Sequence, residues 1–472
     1  MTAHLGFRSR SSEALADASL QAALAKAQDG FVAKRERAMR ALPEVERMRE
    51  EARALKDHVL ANLDRYLEAY EAEVLRRGGQ VHWAPGREEA CRIVAEICRN
   101  AGARRIAKGK SMVSEEIGLN AALEREGFEV IETDLGEYIL QLAGEPPSHI
   151  IAPAVHKTRE QIAELFQRHH GYAERLTGVA ELVADARKVL RERFLSADVG
   201  ITGANFLIAE TGSNLIVTNE GNGDLSCTLP RVHIVTAGIE KVVPTLEDAT
   251  ALVRLLGRSA TGQEMTSYTT ISTGPRRPED TDGPEEYHVV LVDNGRSAML
   301  GNRFREMLRC IRCGACLNHC PVYAAVGGHA YKAVYPGPMG SVLTPALEGG
   351  GGAADLPNAC TLNGRCQQVC PVKIPLPDLL REHRALQHSS AITPALNRGA
   401  LALWAALARR PGLYGLLTRL AVGALKLAAG SRGAFRSLPL MGNWTAGRDL
   451  PAPQGGTFRS AWRAKRRSRG DV

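Results

Sequence analysis

The sequence predicts an α/β protein carrying a small cysteine-rich helical domain, and three observations predict it. Short runs of Val, Ile and Leu alternate with helix-like stretches through the middle of the chain, seven of the ten cysteines fall between Cys310 and Cys370, and positive charge is concentrated after residue 383. These divide the 472 residues into a helical N-terminal segment (1–78), an α/β domain (79–300), the cysteine-rich domain (301–385) and a basic helical C-terminal region (386–472). A chain of this length has room for more than one core.

From Ser12 to about Gly78 the chain is charged and rich in Ala, Leu, Glu and Arg, with Leu55, Val59, Leu63 and Leu67 recurring every fourth residue along one helix face. From Val81 the texture changes. Ile150-Ile151-Ala152, Phe206-Leu207-Ile208-Ala209, Leu215-Ile216-Val217 and Val289-Val290-Leu291-Val292 are apolar enough for buried strands of a mainly parallel sheet, and Glu88–Asn100 and Arg159–Arg168 read as the helices between them. The cysteine-rich stretch, Asn302 to Leu380, includes the glycine run Gly349–Gly352 as a loop between its two cysteine groups. After Pro394, leucines and Trp404 form helices that Arg409-Arg410-Pro411 and Arg419 make too short and too punctuated to span a bilayer. The end, with Trp444, Trp462 and Arg463-Ala464-Lys465-Arg466-Arg467, reads as irregular or partner-dependent.

Hydrophobic residues at 44% and charged residues at 24% are ordinary for a folded chain, which excludes a disordered or fibrous protein. No uncharged apolar run of about 18 residues occurs and the first residues hold no apolar signal core, so the expected location is the cytoplasm. The net charge of +8 belongs to the tail, where residues 384–472 hold 15 Lys and Arg against Asp449 and Asp471. A segregated basic tail suits a protein partner or a peripheral membrane contact. Nucleic acid is not an expected partner, because the basic tail lacks regularly interleaved aromatic stacking positions and shows no known module pattern.

Cys310-x2-Cys313-x2-Cys316-x3-Cys320-Pro321 is the bacterial ferredoxin spacing, in which the first three cysteines hold one iron–sulfur cube and the fourth crosses to the other. The second group, Cys360-x5-Cys366-x3-Cys370-Pro371, has Asn363 where its second cysteine would stand. Crossed ligation gives the first cluster Cys310, Cys313, Cys316 and Cys370, and leaves the second with Cys320, Cys360 and Cys366. Two iron–sulfur clusters are therefore expected: one [4Fe-4S], and a second that is either [4Fe-4S] with a labile iron or [3Fe-4S]. A zinc site also takes four thiolates, but has no need of two groups that each close on Cys-Pro. Cys91, Cys98 and Cys227 are scattered and read as small buried hydrophobes.

In the α/β domain, Arg105 to Ser111 reads as strand, loop and helix start, where Lys108 and Lys110 flank either an anion site or simply a capped surface helix. Glu132, Asp134 and Glu137 read as a solvated edge ahead of acid, base or metal roles. Thr211-Gly212 and Asn219–Asp224 are turn-rich loops following strands, where α/β folds place ligands. No dinucleotide fingerprint, Walker lysine or nucleophile elbow is present, so no complete catalytic site is expected.

Lys108-Gly109-Lys110-Ser111-Met112-Val113-Ser114-Glu115-Glu116, Glu132-Thr133-Asp134-Leu135-Gly136-Glu137, Pro147-Ser148-His149-Ile150, Gly203-Ala204-Asn205-Phe206, Thr218-Asn219-Glu220-Gly221-Asn222 and Asp282-Gly283-Pro284-Glu285-Glu286 together resemble the lactate utilisation protein B family. The cysteine groups, Tyr335-Pro336-Gly337-Pro338 and Val372-Lys373-Ile374-Pro375-Leu376 extend the resemblance over nearly the whole chain. It implies an α/β domain related to sugar-isomerase and CoA-transferase-like folds, a dicluster ferredoxin-like domain and a family-specific tail. It further implies a subunit that works with two others to oxidise L-lactate to pyruvate. The family pattern has cysteine where this chain has Asn363. The function expected is an iron–sulfur electron-transfer subunit of such a complex. The alternatives are a small-molecule-binding or regulatory α/β module with clusters as sensor or scaffold, and the cluster subunit of a related glycolate-type oxidase.

Overall fold

The computed structural model describes residues 6–348, 353–437, 445 and 448–468, so Gly349–Gly352, Trp444 and Arg469 lie outside the described residues. It forms two compact units, residues 1–387 and 388–472. In the first, the alternation of apolar runs and helices becomes ten strands: β1 (Gln80–Ala84), β2 (Arg105–Lys108), β3 (Glu129–Glu132), β4 (Val199–Gly203), β5 (Phe206–Ile208), β6 (Ser213–Thr218), β7 (Val232–Gly238), β8 (Val242–Val243), β9 (Tyr268–Ser272) and β10 (Glu286–Val292). Six form a wholly parallel sheet in the order β1-β10-β7-β4-β2-β3.

That sheet is covered on both faces, which is why its strands are continuous apolar runs rather than alternating ones. Ile234, Val290 and Val292 face Val94, Leu119 and Leu123 from the helices Arg87–Asn100 and Leu119–Arg125. Val235, Val289 and Leu291 face Val59, Tyr70 and Val74 from the N-terminal helices Val45–Ala61 and Leu63–Arg76. The N-terminal segment is thus helical as expected, broken into Phe7–Ala16, Ala18–Arg40 and these two; Asp17 caps the second by accepting from Leu20 N at 3.0 Å.

Two strand expectations need correction. Ile150-Ile151-Ala152 forms no strand, because the His149 ring nitrogen Nδ1 accepts from the Ile151 and Ala152 amides at 3.0 and 3.1 Å and takes the donors a ladder would use. Phe206–Ile208 and Leu215–Val217 lie in a separate four-stranded sheet, β8-β5-β6-β9, whose β5–β6 and β6–β9 pairings are antiparallel. The turn between β5 and β6 passes through Gly212 at φ 67°, where a Cβ would meet Val74 N at 2.6 Å, so only glycine lets the hairpin close against the helix Leu63–Arg76.

The cysteine-rich domain does not have a core to itself. Met307, Leu317, Val342 and Leu380 share one with Leu42 and Met48 of the N-terminal segment and Ile150, Phe206 and Leu252 of the α/β domain.

The second unit contains the helices Ala395–Ala408, Pro411–Ala429 and Phe458–Ser468 and a short ladder, Ala434–Phe435 with Leu450–Pro451. Pro411 sits in the first turn, where its missing N–H costs nothing, so it starts the helix rather than punctuating it. The resulting 19 residues, with hydropathy 1.3 over their most apolar window, are long and apolar enough by length and composition to cross a membrane, correcting the expectation that every tail helix is too short. Phe458–Ser468 corrects the irregular reading of the end: Phe458 and Trp462 stack on one side of a helix that carries Arg459, Arg463, Lys465, Arg466 and Arg467.

Candidate functional site

The two cysteine groups fold into the same loop twice. In the first, Arg312 at φ 60° and Gly314 at φ 72° bracket Cys313 and lead into the short helix Ala315–Asn318; in the second, Leu362 at φ 56° and Gly364 at φ 82° bracket Asn363 and lead into Arg365–Val369. Left-handed backbone at a non-glycine residue costs free energy and persists where surrounding structure imposes it. Each loop runs on to a Cys-Pro, and Asn363 occupies in the second the place of Cys313 in the first.

Sulfurs from both groups converge. Cys310, Cys313, Cys316 and Cys370 line one small cavity with Ile150, Arg312 and Ile374. Burial first, then the charge of Cys360 and Cys320, pushes Cys366 up to about 12, and Cys320 is raised by burial and, among the sulfurs, by Cys360, which places those three together. Cys316 feels both Cys370 and Cys366, so the two sets are neighbours.

Backbone amides point at the sulfurs, with Leu362 N donating to Cys360 at 3.3 Å, Ile374 N to Cys370 at 3.4 Å and Tyr323 N to Cys320 at 3.5 Å. Arginines outside the motif hold the second loop: Arg35 donates to Val369 O at 2.7 Å, Arg49 to Cys370 O at 2.8 Å and Arg384 to Cys360 O at 2.8 Å. Burial pushes the thiols of Cys313 to about 12 and Cys370 to about 11, so ligation must displace protons and the ligated thiolates gain from nearby donors and cations.

The first set offers four thiol sulfurs around one cavity, the donor set of an iron–sulfur cube. The second offers three sulfurs and an exposed amide, and Asn363 Oδ1 is turned to its own backbone, accepting from Arg365 N at 3.1 Å.

The α/β candidates are rearranged. Lys108 is fully buried and donates to Glu132 at 2.7 Å and Glu115 at 3.3 Å, and Ser111 caps a helix of six residues, Met112–Ile117, so Lys108 does not flank an anion there as considered from sequence. Glu132 and Glu137 are 3% exposed, which overturns the solvated-edge reading. Asp134 caps the helix Leu135–Ala143, accepting from Gly136 and Glu137 amides. Burial, then the charge of Glu132, pushes Glu137 up to about 8.

A second cavity, of about 220 Å³, opens at the carboxyl ends of β2, β4 and β7, with Gly109, Gly203 and Thr236 on its wall and Asn219, Glu220, Asn222 and Gly223 of the turn-rich loop beside them. Thr211-Gly212 lies elsewhere, against the helix Leu63–Arg76.

Arg312, which lines both cavities, belongs to a buried ion network that sequence reasoning missed. Arg296 is fully buried and donates to Glu240 at 2.7 Å and Glu116 at 2.8 Å; Arg312 reaches Glu240 at 3.3 Å and stacks over Tyr335, whose hydroxyl donates to Glu116 at 2.6 Å. Its members are scattered from Glu116 to Tyr335, so no local spacing could have revealed them.

A parallel α/β domain sharing its core with a doubled Cys-Pro loop whose thiols converge in two sets defines an iron–sulfur protein of the dicluster kind. The chain matches a LUD domain over residues 67–292, a 4Fe-4S dicluster domain over 306–374 and a lactate utilisation protein B C-terminal region over 380–467. It is 45% identical over its full length to 98% of "Lactate utilization protein B" of Lysinibacillus sphaericus, and 42% identical over 97% of its length to 96% of "Uncharacterized electron transport protein YkgF" of Escherichia coli K12. A solved structure of a DUF162 family protein from Deinococcus radiodurans covers 49% of this chain and 98% of its own, at 15% identity and a TM-score of 0.28. The chain belongs to the lactate utilization protein B family.

Proposed function

We propose that this protein is the iron–sulfur electron-transfer subunit of a cytoplasmic complex that oxidises L-lactate to pyruvate together with two further subunits. The observation that carries the reading is the convergence of Cys310, Cys313, Cys316 and Cys370 on one cavity beside the set Cys320, Cys360 and Cys366. These are the ligands we assign to the first and second clusters. Iron–sulfur clusters supply one-electron chemistry, and lactate oxidation releases two electrons and two protons, so a pair of adjacent clusters suits their passage one at a time. The chain's own part is to hold the sulfurs, donate amides to them and surround them with buried cations. The relatives named lactate utilization protein B supply the substrate. Protein purified without oxygen should contain iron and acid-labile sulfide and be reduced by L-lactate only when its copurifying partners are present. Reduction by lactate without partners, or none with them, would refute the reading.

We assign the second cluster an open coordination position at Asn363, because a neutral amide is a poor donor to iron and this one is engaged with Arg365 N. Air-exposed protein is expected to show a nearly isotropic three-iron signal in low-temperature EPR, and Asn363→Cys should remove it. Identical oxidation behaviour in both proteins would count against the open position.

The tail presents Leu396, Leu403, Trp404, Leu420 and Leu427 largely exposed, with basic residues at its end. Our reading gives this face to the partner subunits, with a membrane surface as the lesser use. Deleting the residues after Pro394 should leave iron content unchanged and reduce partner recovery severalfold; full recovery would rule the role out.

A further inference from the structure

The 220 Å³ cavity at the carboxyl edge of the parallel sheet contains a cation short of counter-charge. Lys241 lines it, is 5% exposed, and its ammonium makes no hydrogen bond or ion pair among the described residues; the acid whose charge it feels, Glu240, already holds Arg296 and Arg312. Burial lowers that ammonium to about 8, a cost that an anion in the cavity would offset. Lys110 and Arg312 line the same cavity, but Lys110 donates to Ile151 O at 3.0 Å and Arg312 is committed to Glu240.

Polar neutral groups complete the lining: Ser111, Asn205, Asn222 and Thr218, whose buried hydroxyl also lacks a partner. The carboxylates on the lining, Asp134 and Glu220, both face the start of the helix Leu135–Ala143: Asp134 accepts from the Gly136 and Glu137 amides and Glu220 from the Leu135 amide at 3.2 Å. Their charge is thus engaged at that helix start, while Lys241 is not. The volume suits a ligand of a few heavy atoms and falls below the usual range of drug-sized and cofactor pockets.

One wall decides what such a ligand would feel. Ile150 and Arg312 line both this cavity and the one lined by Cys310, Cys313, Cys316 and Cys370, so a single layer of side chains separates them.

We propose that this cavity binds a small carboxylate through Lys241, within one side-chain layer of the first cysteine set. The choice of carboxylate as the anion rests on the lactate reading above; the site itself rests on a lysine that makes no hydrogen bond or ion pair among the described residues and on the shared wall. Binding neutralises a positive charge that bears on Cys310, along with those of Lys56 and Arg312, so occupancy also shifts the spectroscopic and redox properties of whatever Cys310 ligates.

The test is calorimetric titration of oxidised full-length protein with pyruvate, L-lactate and inorganic phosphate, which requires no electron transfer and so can fail independently of the functional reading. Saturable binding of pyruvate or lactate is expected, weakened about tenfold or more in Lys241→Met and partly restored in Lys241→Arg, since one charge-assisted hydrogen bond is lost and regained. On unaltered protein, saturating pyruvate should protect Lys241 from reductive methylation and, after dithionite reduction, change the EPR line shape of the first cluster. Carboxylate binding that is unchanged in Lys241→Met, phosphate binding alone, or Lys241 methylated equally with and without pyruvate would overturn the proposal.

Discussion

Cys370→Ser is expected to strip the cluster held by Cys310, Cys313 and Cys316 and to leave the one held by Cys320, Cys360 and Cys366. Cys370 lies 60 residues after Cys310 in sequence, yet its sulfur lines the cavity of Cys310, Cys313 and Cys316, whereas Cys320, only four residues after Cys316, does not. Loss of a thiolate from a four-sulfur site removes the ligand of one iron and leaves the cluster to dissociate, with the Cys313 and Cys316 thiols, both pushed up by burial, reprotonating. Iron should fall by about half, and EPR of the reduced protein should retain the second cluster's signal. A variant that keeps the first cluster and loses the second would show that the groups ligate without crossing.

The other large effect is structural. Arg296→Met should destabilise the first unit by about 3–5 kcal/mol, the usual cost of stranding a buried charge. Arg296 is fully buried between Glu116 and Glu240, themselves 8% and 1% exposed. Its guanidinium, together with Arg312 at Glu240, holds Glu240 at about 2 despite burial, so removing it forces one carboxylate to take up a proton or remain uncompensated. Because Glu240 also holds Arg312 beside the first cysteine set, cluster retention should fall along with the urea midpoint. Adding Glu116→Gln should recover part of the loss. A midpoint within experimental error of the parent would mean that the network contributes no net stability.

How much of this was legible before folding depends on range. The Cys-Pro groups, Asn363 standing at the place of Cys313, the helical N-terminal segment and β10 were all readable, because cysteine motifs and helical or strand periodicity are written in spacings of a few residues. The strand reading failed at Ile150-Ile151-Ala152, where apolar content matched a strand but the His149 ring took its amides. It placed Phe206–Ile208 and Leu215–Val217 correctly as strands but in the wrong sheet, since pairing direction is set by the tight turn at Gly212 packing on a helix 140 residues earlier.

By itself, then, the sequence determined the chemistry of the ligands and the number of sulfurs available, since both follow from residue type and local spacing. Only the tertiary structure decided which acids are buried, how Arg296 and Glu240 meet, and that Lys241 stands, with no hydrogen bond or ion pair among the described residues, in a cavity sharing a wall with the first cysteine set. The physical reason is that burial and Coulomb interaction act through space: the desolvation of Lys241 and the neutralisation of Glu240 arise from residues brought together by a shared core, and no local pattern encodes them.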